Sequence, residues 1–134
     1  MTDLIAIAKS FYAALMGGRP EEALALWRDD FEIVEVDSMP YPGIYKGKDR
    51  WDVFFGIFNQ TWAHWTLEID DILANDRRVV AVGTFHGTAR ASGQDVSFPM
   101  AEIWDFEDGE MIRVTPVYGD TALINQATAV RSSA

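Results

Sequence analysis

Two carboxylate positions in this chain lie where a carboxylate is costly, and those are the places where chemistry is expected. From Ser97 to Tyr118 the sequence reads SFPMAEIWDFEDGEMIRVTPVY. Alternation puts Phe98, Met100, Glu102, Trp104 and Phe106 on one face of a strand. All but Glu102 are large and apolar, so this face is expected to be buried, with the carboxylate in its middle. A buried carboxylate must be paired, hydrogen-bonded or protonated. Glu102 is therefore a candidate pocket acid with a raised pKa, acting as a hydrogen-bond donor or proton shuttle. The plainer alternative is a rim carboxylate or a partner for Arg113. The second position is the alternating run Phe31 to Asp37, where Phe31, Ile33, Glu35 and Asp37 share a face. Glu35 or Asp37 is a candidate general base. The alternative is a strand end that emerges into solvent at Ser38-Met39-Pro40.

Other reactive groups are scarce. The chain has no Cys, which removes disulfides, thiol catalysis and zinc-thiolate sites. Its two His, His64 and His86, are not at ligand spacing, and no metal site is expected. His86 alternates away from Gly83, Phe85 and Gly87, so it is expected on the outer face of its strand. His64 lies at a strand junction between Trp62 and Trp65.

The elements that would position these groups follow from pattern. Thr2 or Asp3 can cap a helix reaching about Met16, stopped by Gly17-Gly18. A second helix is predicted from Pro20 to about Arg28, burying Leu24 and Trp27. Ser38–Gly47 reads as a turn-rich loop in which Tyr41 and Tyr45 could gate a pocket. Lys48 to Gln60 is predicted helical, with Trp51, Phe54, Phe55 and Phe58 as a core stripe. Strands are predicted over Trp65–Ala74 and Arg77–Ala91, then in the two arms of a hairpin about Glu107-Asp108-Gly109-Glu110. The glycines flanking Phe85 suggest a bend with free space above them. A short helix is expected over Thr121–Ala127, then a frayed tail at Arg131–Ala134. Helices first and a meander of strands after them give an α+β fold, a curved sheet wrapped on helices as a cone with an apolar pocket.

The 134 residues suit a single domain over the whole chain. A net charge of −10 argues against nucleic acid and anionic membranes as partners. No signal peptide or membrane span is read from the N-terminus, so a cytoplasmic protein is expected.

AALMGGRPEEALALWRDDFEIVEV, PGIYKGKDRWDVFF and AEIWDFEDGEMIRVTPVYGD together resemble the SnoaL-like, ketosteroid isomerase-like branch of the nuclear transport factor two-like superfamily. The resemblance implies an α+β cone with a deep hydrophobic pocket, a homodimer, and no cofactor. In ketosteroid isomerase an Asp base works against an oxyanion hole made of a Tyr and a protonated Asp. By position, Glu102 matches the protonated acid. The base falls on Glu35 counting from Asp29-Asp30, or on Asp37 counting back from Gly47. The helix tyrosine falls on Phe11, one residue from Tyr12, which leaves the usual hydroxyl missing. Tyr118 matches an aromatic pocket position and could supply it from the other wall. Phe11, Tyr12, Ile33, Phe55, Phe85, Met100 and Pro116 are expected to line the pocket. The Asp-Arg-Asp set of the superfamily's epoxide hydrolases is poorly matched by Arg90 and Arg113.

These residues support a cofactor-independent isomerase, cyclase or dehydratase acting on an apolar carbonyl compound. Glu35 or Asp37 would take a proton, and Glu102 and Tyr118 would hold the enolate oxygen. The alternatives are a non-catalytic protein binding an apolar small molecule or a partner, and a structural dimer whose pocket is filled by its own aromatic rings.

Overall fold

The computed structural model describes residues 3–129. Helix α1 (Leu4–Met16) is capped by the Asp3 carboxylate, which accepts from the Ala6 N–H at 3.1 Å. Helix α2 (Pro20–Leu24) begins on its proline, with Glu21 and Glu22 in the first turn. Strands β1 (Trp27–Glu35) and β2 (Gly43–Lys46) follow, then a single 3-10 turn (Lys48–Arg50) and helix α3 (Trp51–Thr61). Strands β3 (Trp62–Ala74), β4 (Arg78–Ala89), β5 (Asp95–Glu107) and β6 (Glu110–Tyr118) form a meander, and helix α4 (Thr121–Thr128) closes the described chain.

The strands make one open, curved sheet in the order β2-β1-β6-β5-β4-β3. All pairs are antiparallel except β1 with β6, so the fold is α+β with a mixed sheet. The inner face carries the core. Along β4 the residues Val79, Ala81, Gly83, Phe85, Gly87 and Ala89 are buried in strict alternation. Along β5 the buried set is Val96, Phe98, Met100, Trp104 and Phe106, with Glu102 half-buried between them. The outer face carries ion pairs that cross the sheet. Arg78 bonds Asp105 at 2.7 Å, and Arg113 lies between Asp105 and Glu32 at 3.5 and 3.8 Å.

Three expectations need correction. Trp27 ends no helix; it opens β1, because the Leu26 carbonyl takes the Met111 N–H at 3.2 Å and draws the chain onto β6. The loop Ser38–Gly47 contains β2, whose Tyr45 pairs with Ile33. The two glycines of β4 do not hold open space. A Cβ on Gly83 would overlap the Glu68 carbonyl, where β3 bulges between Ile69 and Asp71. A Cβ on Gly87 would lie 2.5 Å from the Phe85 ring and 2.9 Å from Trp62. Both glycines permit close approach rather than leaving a void. The expected tail Arg131–Ala134 and the alternative cap Thr2 lie outside the described residues.

Candidate functional site

Two hydrophobic clusters fill the concave side of the sheet. One joins α1, β1 and the start of α3 to Trp104 and Val114. The other gathers Met39, Tyr41, Trp62, Phe85, Phe98 and Met100 over α4. Residues of both line a cavity of about 90 Å³. Its walls include Phe11, Trp27, Ile33, Met100, Val114 and Pro116, and one side is the aromatic stripe of α3. Trp51 of that stripe is buried in the core as expected, while Phe54, Phe55 and Phe58 are half-buried and wall the cavity.

Glu35 and Glu102 both line this cavity. Glu102 enters through the register of β5. Its cross-strand neighbours are Ala81 and Pro116, side chains small enough to leave its carboxyl uncovered. Glu35 is the last residue of β1 and is 3% exposed. Neither carboxyl pairs with a Lys or Arg among the described residues. Arg113, weighed above as a partner for Glu102, sits on the outer face with Asp105 and Glu32.

Each acid is instead held by one tyrosine. The Tyr118 hydroxyl lies 2.9 and 2.8 Å from the two oxygens of Glu35. It has one proton, so it serves one oxygen at a time and leaves the other free. The Tyr12 hydroxyl donates to Glu102 Oε1 at 2.7 Å and accepts from the Trp104 indole N–H at 2.8 Å. Because the indole can only donate, the direction of that relay is fixed toward the carboxyl.

Burial dominates the electrostatics. Desolvation pushes Glu35 up to about 8, opposed by the Tyr118 bond and reinforced by the charge of Glu102. Desolvation pushes Glu102 up to about 7, opposed by the Tyr12 bond. Tyr12 and Tyr118 are both pushed up, by burial first and then by the carboxylates beside them. All four hydroxyl and carboxyl groups are thus biased toward their neutral forms.

The sequence-derived candidates divide accordingly. Glu35, Glu102, Tyr118, Phe11, Ile33, Phe55, Phe85, Met100 and Pro116 all lie on the cavity. Asp37 does not. The strand ends at Glu35, and Asp37 is exposed in the turn that the Met39 N–H closes on the Val36 carbonyl at 3.0 Å. Tyr12 is buried behind Glu102 and is not part of the cavity wall. Helix α1 therefore does bring a tyrosine hydroxyl to the site, contrary to the absence inferred by counting from Gly17-Gly18. A one-residue step rotates a helix by about 100 degrees. Here Phe11 takes the cavity side, and Tyr12 reaches Glu102 from the flank. His86 faces outward, with Nδ1 2.7 Å from Ser97 and Nε2 3.2 Å from Glu68. His64 is exposed. Tyr41 lines the cavity and accepts from Trp62 Nε1 at 3.1 Å, while Tyr45 anchors the loop through the Tyr41 carbonyl.

Several cavity residues escaped the sequence reading, and two of them, Trp27 and Trp62, did so because their elements were misassigned. Trp27 was assigned to a helix, and Trp62 to a junction before its strand. The apolar parity of Trp27 with Phe31 and Ile33 was the available signal for the first.

Residues 8–114 match the family described as the SnoaL-like domain. The chain belongs to the SnoaL-like family. Among solved structures, this SnoaL-like chain is similar to an NTF2-like protein of unknown function from Burkholderia pseudomallei. That pair is 23% identical over 97% of this chain and 100% of the other, with a TM-score of 0.88. TerC, co-crystallised with polyporic acid, is 20% identical over 93% of this chain and 97% of its own, with a TM-score of 0.84. A proposed SnoaL-like polyketide cyclase from Jannaschia sp. is 12% identical over 96% of this chain and 93% of its own, with a TM-score of 0.78. No functionally curated protein matches the chain. Among the described residues no helix is long and apolar enough to cross a membrane, and no cluster of metal-ligating side chains occurs.

Proposed function

We propose that this SnoaL-like cavity performs proton transfer on a small apolar carbonyl compound, with Glu102 as base and Glu35 as neutral hydrogen-bond donor. The observation that carries the reading is the pair of carboxyls in one cavity. Both are raised by burial, both are held by a tyrosine, and neither is paired with a Lys or Arg among the described residues. Buried acids without cations are expensive, and a shifted pair near neutrality is what acid–base catalysis needs. The charge of Glu102 raises Glu35, so the scheme gives the base role to Glu102 and the proton to Glu35, the reverse of the roles read from the sequence. Ionised Glu102 takes a proton alpha to the carbonyl. The C–H electron pair becomes the enol double bond, and the carbonyl oxygen takes a hydrogen bond or proton from Glu35. Tyr118 orients Glu35 in this scheme and does not hold the enolate oxygen itself. Return of the proton to another carbon is isomerisation, loss of a beta leaving group is dehydration, and attack on a second carbonyl is cyclisation. The proposed activity of the Jannaschia neighbour agrees with the last of these.

The test is deuterium exchange into the acetyl group of 4-methylacetophenone in D₂O. Wild-type protein should catalyse it, fastest between about pH 7 and 8. Below that window Glu102 is protonated, and above it Glu35 is ionised. Glu102→Gln should slow exchange by roughly 10²-fold or more while the fold survives. Exchange no faster than in buffer would remove the catalytic reading.

A second reading is non-catalytic binding of an apolar compound. The aromatic and aliphatic lining of the cavity favours it, since apolar walls with few polar groups are typical of ligand pockets. It requires affinity that survives Glu102→Gln and no exchange in the bound compound.

The proposed assembly is a homodimer through the outer sheet face. Val82, Ala101 and Val117 align across β4, β5 and β6, and the two valines are 39% and 50% exposed. Light scattering should give twice the chain mass of 15.0 kDa. A monomer at micromolar concentration would contradict this.

A further inference from the structure

The cavity measures about 90 Å³, below the roughly 300–1,000 Å³ of pockets that hold small molecules. A ligand therefore enters only if a wall gives way. The sheet strands are tied by their ladders, and α1 is held by buried Leu4, Ala8, Phe11 and Tyr12. Helix α3 is the loosest wall. Of its residues only Trp51 is buried, and segments with few buried contacts are the ones that open most readily.

Both ends of α3 are anchored. Before it, the Gly47 N–H donates to the Phe31 carbonyl at 2.8 Å, and Lys48 Nζ donates to the Trp27 carbonyl at 3.2 Å. Near its end, Arg90 donates to the Asn59 carbonyl from Nε at 3.3 Å and from Nη2 at 2.9 Å. Between these anchors the helix meets the sheet through its rings. Phe55 and Phe58 sit edge-on to Trp65 of β3, at 6.4 and 5.0 Å. Phe58 also meets Phe85 at 6.2 Å. Gly56 lies between the two phenylalanines in the chain and is exposed. A Cβ there would meet nothing within 4 Å, so no close approach accounts for the glycine. Glycine loosens a helix interior relative to alanine.

We propose that α3 is the gate of the cavity, bending at Gly56 to open the seam between Phe55, Phe58 and Trp65 and admit an apolar aryl compound. With both ends anchored, the helix bows outward rather than swinging free. Its rings part from Trp65 as the ligand enters and close over it afterwards. This rests on the cavity taking a ligand, as both readings above require, but not on proton transfer occurring there.

The test is Gly56→Ala, which adds a methyl group into open space. Urea unfolding should show the variant more stable than wild type. Association and dissociation of 4-methylacetophenone, read from the exchange broadening of its ring-methyl NMR signal, should both slow about fivefold. The Kd should not change, because alanine favours the closed helix with and without ligand. In the wild type, amide hydrogen exchange at residues 55–58 should be faster than in α1 and should slow when the probe is bound. This readout needs no variant. Unchanged binding rates, a weaker Kd at an unchanged association rate, α3 amides as protected as those of α1, or no binding of the probe would overturn the proposal. Slowed binding without deuterium exchange into the probe would sink only the proton-transfer reading. Catalysed exchange with unchanged binding rates would sink only the gate.

Discussion

Glu35→Gln is expected to stabilise the protein while removing its activity. The folded-state pKa of Glu35 is about 8 against an ordinary 4.5. The folded protein therefore binds more protons than the unfolded chain between these values. Stability drawn from a raised carboxyl is fully present below pH 4.5 and falls as pH rises toward 8. At pH 7 the wild type gives up about 3 kcal/mol through this group, and at pH 9 about 5 kcal/mol. Glutamine keeps the shape and can still accept from Tyr118, but never ionises. Urea unfolding should show Glu35→Gln equal to wild type near pH 4, more stable at pH 7, and more stable still at pH 9. Deuterium exchange should fall with it, because a stabilising change at a functional group removes the reason the group was tolerated. A variant that is less stable than wild type at pH 9 would mean Glu35 is a structural carboxylate.

Tyr12→Phe should act in the opposite sense. The Tyr12 hydroxyl both donates to Glu102 and accepts from Trp104, a residue 1% exposed. Its loss orphans a buried indole N–H, which costs about 1–3 kcal/mol at any pH. It also removes the bond that holds the Glu102 pKa down, so that pKa rises further. The added cost appears only above pH 7, where wild-type Glu102 is ionised. Unfolding at pH 5 and pH 9 separates the two parts. The acid limb of the exchange profile should move to higher pH. In Tyr12→Phe with Trp104→Phe the two losses should be less than additive, since the orphaned donor is gone. Strict additivity would show that the Trp104–Tyr12–Glu102 relay does not operate.

How much of this was legible follows from which residues obey local rules. Glu102 was readable because β5 alternates without interruption through the site, so parity alone placed it among Phe98, Met100, Trp104 and Phe106. Glu35 was readable by the same parity in β1. Asp37 was misjudged because parity does not say where a strand ends, and the turn at Val36–Met39 decides that. Trp27 was misplaced because Pro20-Glu21-Glu22 starts a helix convincingly, while its stop is set by pairing with β6, a strand more than eighty residues later. Tyr12 was discounted by counting along the helix, but the angle at which α1 lies on the sheet lets adjacent residues serve the same site. Gly83 and Gly87 were misread as leaving free space, because a missing side chain signals a void or a close approach equally well in sequence. What approaches them, the β3 bulge and the rings of Phe85 and Trp62, is set by tertiary packing.

The most direct measurement is the pH titration of the glutamate side-chain carbons by NMR, with Glu35→Gln and Glu102→Gln assigning the two signals. The cavity described here requires both glutamates to titrate well above the ordinary range, near 7 and 8, with Glu35 moving down when Glu102 is replaced. Titration of both near the ordinary value of about 4.3 would show two solvated carboxylates and remove the basis for acid–base chemistry in this cavity.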